Sequence, residues 1–139
     1  MTCTFSRPCA ANKLRHSSTV YGLPAYPDVQ SIPDPVELAV LPIPEGSVEQ
    51  AVQDCGTKGV KGIVIVTAGF GESVEGGRAR EEAIAKMARA QGMRVIGPNV
   101  SGTFNLHASF NASASPAEHL LATPLAAVCQ GGYAFYDLL

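Results

Sequence analysis

The sequence predicts an α/β fold built on a parallel sheet, and two observations carry that expectation. Three short apolar runs, at residues 36–43, 63–66 and 95–96, alternate with two stretches whose apolar residues recur at helical spacing. Each run stops at a small, Gly- or Pro-rich segment: "PIPEG", "VTAGFGE" and "IGPNVSG". Strand, helix, strand, helix, strand in that order implies right-handed crossovers and parallel neighbours. Parallel strands place their C-terminal ends on one edge, which is where open α/β sheets take their ligands.

Each element follows from local chemistry. Residues 1–19 contain Pro8 and no clean apolar period, so an irregular start is expected. The four prolines of "LPAYPDVQSIPDP" read as an extended connector. "VELAVLPI" is a short strand, closed by "PEG". Ser47 is placed to cap a helix whose inner stripe is Val48, Ala51, Val52 and Cys55, with Gly56 and Gly59 at its end. Ile63, Val64, Ile65 and Val66 are consecutive β-branched residues, which suits a strand buried on both faces. A second helix is expected from about Gly77 to Gln91, with Ala79, Ala83, Ile84, Met87 and Ala88 inward and Arg80, Glu81, Lys86 and Arg89 toward water. "MRVIGPN" is the next strand, and "PLAAVCQGG" begins another after a long loop.

Composition narrows the function. A chain of 139 residues with 46% hydrophobic and 16% charged residues can bury a core without staples. A net charge of −2 offers no basic field for nucleic acid, and no apolar run is long enough for a membrane span. Cys3, Cys9, Cys55 and Cys129 are scattered, without C-x-x-C or paired His, so no metal site is expected. Cys55 falls on the apolar stripe as a small core residue, and the expected compartment is reducing and cytoplasmic. The sequons at Asn99 and Asn111 follow no secretory signal and are discounted.

The three strand ends together read as a shallow, backbone-lined groove for a phosphate-bearing or elongated ligand. No Gly-x-Gly-x-x-Gly precedes a helix, which disfavours a nicotinamide dinucleotide. No strand, Gly loop and helix can be read in the first 35 residues, so the first βα unit is expected to be missing. The strand at 36–43 would then lose a neighbour and expose its ladder groups, and the chain is expected to self-associate or sit near the edge of stability.

"YGLPAYPDVQSIPDPVELAVLPIPEGSVEQAVQDCGTKGVKGIVIVTAGFGE", followed by "GMRVIGPNVSGTFN", resembles the CoA-binding domain of NDP-forming acyl-CoA synthetases, relatives of the succinyl-CoA synthetase α subunit. The resemblance implies a Rossmann-like fold holding CoA along its C-terminal strand edge. It implies a partial CoA-binding domain at 20–110, a linker at 111–123 and the start of a second, flavodoxin-like domain at 124–139. Pro42, Ile43 and Pro44 would line the CoA channel, Thr67, Ala68, Gly69 and Phe70 would form the second contact loop, and Pro98 and Asn99 would complete the edge facing the thiol end. In the second domain, Gly131 and Gly132 would retain a weak phosphate contact where the family has a Ser-Gln-Ser-Gly-like turn. The full-length family works through acyl phosphate and a phosphohistidine, and an ATP-grasp module with Mg carries ATP or ADP. The resemblance does not reach that His or that module, since His107 and His119 do not match its context. The chain alone is therefore not expected to catalyse, and without the pyrophosphate cradle of a first βα unit it is expected to bind CoA weakly. The alternative is a stand-alone CoA-responsive regulatory protein without chemistry.

Overall fold

The computed structural model describes residues 2–4, 7–11, 19–20, 22–71, 76–113 and 120–129. Its centre is the expected parallel trio: β5 (Leu38–Leu41), β6 (Gly62–Ile65) and β7 (Arg94–Ile96). Leu38 lies opposite Gly62 and Leu41 opposite Ile65, and Gly62 lies opposite Arg94. Two helices cross between them, α1 (Val48–Lys58) and α2 (Gly77–Ala90). The chain is a Rossmann-like α/β domain.

The start of the chain departs from expectation. Residues 1–19 contribute short strands rather than only irregular backbone: β1 (Thr2–Thr4), β2 (Arg7–Ala11) and the beginning of β3 (Thr19–Val20). With β4 (Leu23–Tyr26) they extend the sheet to seven strands in the order β3-β4-β2-β1-β5-β6-β7. β1 runs antiparallel beside β5, with Thr2 opposite Ala39 and Cys3 opposite Leu38. The edge of β5 expected to lie open is therefore paired along its first half, at Leu38 and Ala39.

The connector is more than extended chain. After β4 it turns at Asp28, whose Oδ1 accepts from the Ser31 backbone N–H at 2.7 Å and the Ser31 hydroxyl at 2.8 Å. This is the local side-chain-to-backbone pattern that Asp favours in turns. These bonds hold the Asp28 carboxyl below its ordinary range, the hydroxyl contributing most. Val29, Ile32 and Val36 then drop into the core. Lys58, in the last turn of α1, donates to the Ile32 carbonyl, and Gln30 Nε2 donates to the Asp54 carbonyl at 2.7 Å.

Side-chain alternation along the strands divides the interior. Ala39, Leu41, Ile63 and Ile65 face the helices and meet Val48, Val52, Cys55, Phe70, Ile84 and Ala88. Val40 and Val64 face the other way, against Ala112 with Phe110 and Val100 beside it. That second cover is a hairpin, β8 (Gly102–Asn105) and β9 (Phe110–Ser113). It occupies part of what was expected to be loop and linker, the 111–123 segment beginning inside β9. Asn105 Oδ1 accepts from the Ala108 N–H at 3.3 Å and closes a short 3₁₀ turn between the strands.

Local expectations fared unevenly. Ser47 is no side-chain cap: it lies inside a 3₁₀ turn at Glu45–Ser47 with helical backbone angles, whereas a capping residue needs extended ones. Gly59 does end α1 in the left-handed region, φ 83, and the next N–H, Val60, bonds back to Cys55 at 3.0 Å. Gly56 stays within α1, where it gives the Gln91 side chain room. In α2 the buried residues are Gly77, Ile84 and Ala88, while Ala79 and Ala83 are exposed and Arg80 and Glu81 are half-buried. Ile96 is 46% exposed because β7 is the outer strand of the sheet. The strand expected from residue 124 does not form over 124–129; Leu125 and Val128 there are exposed, and an apolar run without a ladder partner has nothing to hold it extended. Gly131 and Gly132 lie outside the described residues.

Candidate functional site

The three strand ends do meet on one edge, and their backbones are joined there. Beyond Leu41 and Ile65 the regular ladder between β5 and β6 stops. Thr67 takes over. Its Oγ1 lies 2.6 Å from the Ile43 carbonyl, 3.1 Å from that of Leu41 and 3.3 Å from the Ile43 nitrogen. The single hydroxyl proton goes to the nearer carbonyl, and a lone pair accepts the Ile43 N–H. On the other side the Thr67 carbonyl accepts the Asn99 N–H at 2.9 Å. One residue thus ties the loop after β5 to the loop after β7.

The third loop is shaped by Gly97 and Asn99. Gly97 has φ 97, and a Cβ there would collide with the Ile65 carbonyl, so only glycine lets β7 end this close to β6. Asn99 has φ 55, a left-handed conformation that Asn tolerates better than most residues. The Gly97–Pro98 peptide is cis.

Among the anticipated site residues, Pro42, Pro44, Ala68 and Asn99 are exposed at this edge, and Ile43, Thr67, Gly69 and Pro98 are half-buried. Phe70 is the exception and a correction. It is fully buried, 0% exposed, within the helix-side core, so its ring is not groove surface. A large aromatic at the end of a loop is worth more buried than wet, and α2 closes over it.

Sequence reasoning overlooked the group that holds this corner together. Arg80 pairs with Glu45 and, through Nε at 3.0 Å, with Glu49, while its guanidinium sits 5.3 Å from the centre of the Phe70 ring. It links α2 to the loop after β5 and to α1. Glu81 Oε1 accepts the Gly71 N–H at 3.1 Å. Counting only apolar residues on α2 directs Arg80 outward; the cue lay in "PEGSVEQ", which sets two carboxylates four residues apart. No cluster of His, Cys, Asp and Glu suited to a metal occurs among the described residues. His107 is exposed, with Nε2 3.0 Å from the Thr123 carbonyl; His16 and His119 lie outside the described residues. No helix among the described residues is long and apolar enough to cross a membrane.

Known proteins resemble this chain. Residues 13–104 match the family model described as a CoA binding domain. Over 94 residues the chain is 48% identical to the acetate–CoA ligase (ADP-forming) II subunit alpha of Pyrococcus furiosus, covering 68% of this chain and 21% of that protein. It is 38% identical over 96 residues to acetate–CoA ligase (ADP-forming) I of Archaeoglobus fulgidus, 69% of this chain and 14% of that one. The apo structure of a dinucleotide-forming acetyl-coenzyme A synthetase 1 from Candidatus Korarchaeum cryptofilum superimposes with a TM-score of 0.74 at 37% identity, covering 81% of this chain and 24% of that one. The chain therefore spans about a fifth or less of the length of these curated relatives. Its parallel trio, its three joined strand ends and a family match across most of its length make it a member of the CoA-binding domain family.

Proposed function

We propose that this chain is the CoA-binding portion of an ADP-forming acyl-CoA synthetase, and that it holds CoA across the C-terminal edge of β5, β6 and β7. The observation that carries the proposal is the joined edge itself: Pro42 and Pro44, Ala68 and Gly69, and Pro98 and Asn99 line up within a family of CoA-binding domains. The exposed groups are small or flat, so an elongated ligand can approach the backbone closely. Pro42 and Pro44 offer rigid apolar contact, and the exposed Asn99 amide offers both donors and an acceptor to a polar part of the ligand.

The chemistry of the whole enzyme belongs to further elements. Acyl phosphate formation, the phosphohistidine and the ATP-grasp module that handles ATP, ADP and Mg are assigned to other domains or a partner subunit. By this reading the present residues supply thiol placement only, in the reducing cytoplasm where CoA is kept as a thiol. The bounds 20–110 for the CoA unit, 111–123 for a linker and 124–139 for the start of a second domain belong to the same reading, as does a weak phosphate contact at Gly131 and Gly132. The affinity for CoA is expected to be low.

Calorimetric titration with CoA and, separately, with NAD tests the assignment. Saturable binding of CoA with little or no heat from NAD is the expected result. Tighter binding of NAD would overturn it. Incubation with acetate, CoA, ATP and Mg²⁺ is expected to give no thioester above a protein-free blank.

A further inference from the structure

We propose that Thr67 is a positioning residue for CoA: its hydroxyl bonds to the backbone of the loop after β5 and sets the spacing between that loop and the loop after β7. The inference rests on the CoA-edge reading above. Three facts support it. The regular β5–β6 ladder ends at the Leu41–Ile65 pair. The Ile43 N–H and C=O that lie past that break are both met by Thr67 Oγ1, at 3.3 and 2.6 Å. The Thr67 carbonyl fixes Asn99 at 2.9 Å on the opposite side. The hydroxyl therefore does the work of the missing ladder step, and the same residue registers the first loop against the third.

A ligand that spans both loops depends on that spacing, whereas one that touches a single loop does not. Thr67→Val keeps the shape of the side chain but leaves the Ile43 N–H and C=O without their partner. Thr67→Ser keeps the partner and loses only a methyl group.

The test titrates the whole chain with CoA and with two fragments of it, pantetheine and adenosine 3′,5′-bisphosphate, following backbone amide shifts by NMR. Thr67→Val is expected to weaken CoA by roughly tenfold, the scale of one hydrogen bond left unmade, and each fragment by no more than about twofold. Thr67→Ser is expected to restore the wild-type affinity. Val52→Ala, a core change in α1 remote from the edge, controls for stability and is expected to leave CoA affinity unchanged. Should Thr67→Val not fold, amide hydrogen exchange in the wild-type chain decides: CoA is expected to slow exchange at Ile43 and Asn99 together. Unprotected Ile43 in the CoA complex, or equal CoA affinities for wild type and Thr67→Val, would overturn the proposal while leaving CoA binding intact. A wild-type chain that binds no CoA would overturn both.

Discussion

The two faces of the central sheet are covered by different means. On one, α1 and α2 bury Val48, Val52, Cys55, Ile84 and Ala88 against Ala39, Leu41, Ile63 and Ile65, with Phe70 closing the top. On the other, among the described residues, a single hairpin sets Ala112 over Val40 and Val64, assisted by half-buried neighbours. Helices bring long side chains in ridges that interlock with a sheet; two four-residue strands bring few. Stability is expected to reside on the helical face, and the hairpin face to open first. The strand ends that form the candidate site lie where the two faces meet.

Gly97 is the sharpest place to break this arrangement. A Cβ there would strike the Ile65 carbonyl and come within 3.3 Å of Val100 Cγ2, and φ 97 is itself poor for alanine. Gly97→Ala is expected to cost about 3 kcal/mol or more, or to prevent folding, as combined backbone strain and overpacking do. Urea denaturation measures it, and a loss below about 1 kcal/mol would mean that the edge is looser than described.

The faces themselves are compared by one substitution made on each. Val52 is completely buried on the helical side, and Val40 is 9% exposed on the hairpin side. Val52→Ala is expected to cost about 2–3 kcal/mol and Val40→Ala about 1 kcal/mol, since the thinner cover can settle into the space. Equal losses would show that the hairpin packs as firmly as the helices.

Cys55 reports on the helical face through its proton. Burial pushes its thiol up to about 11 from an ordinary 9.0. The folded state therefore retains a proton that the unfolded state releases, so the stability it contributes is complete below pH 9 and is lost as pH rises toward 11. The wild-type chain is expected to lose up to about 2 kcal/mol more than Cys55→Ala across that window. An identical pH dependence for the two would indicate a solvated thiol. Under native conditions near pH 8, alkylation followed by peptide mapping is expected to label half-exposed Cys129 and spare Cys55.

The smallest effect is expected at Arg80. Its side chain is 38% exposed and its partners Glu45 and Glu49 are 36% and 48% exposed, so each pair is well screened. Arg80→Ala is expected to cost about 1 kcal/mol or less, with part of the loss surviving in high salt because it comes from contact with Phe70. A salt-sensitive loss well above that would make the ion pairs, rather than the ring, the principal tie.

Short-range chemistry was readable directly. β-branched runs, the Val48–Val52–Cys55 stripe, the stop at Gly59 and the Gly97–Pro98–Asn99 break each depend on neighbours within a few residues, and each lies where the sequence put it. The parallel trio followed from their order, and with it the edge that gathers the strand ends. What tertiary structure decided are the meetings between distant residues. The pairing of Thr2 with Ala39 depends on a free strand edge that is created only when β5 is already in the sheet. Thr67 turns its hydroxyl to Ile43, twenty-four positions away, where the regular β5–β6 ladder has already ended. Arg80 lies along the surface between Glu45, Glu49 and the Phe70 ring, a placement its own helix does not dictate. Propensity acts along the chain and could be read from it; the satisfaction of a buried polar group or an open edge depends on which surfaces the completed fold brings face to face.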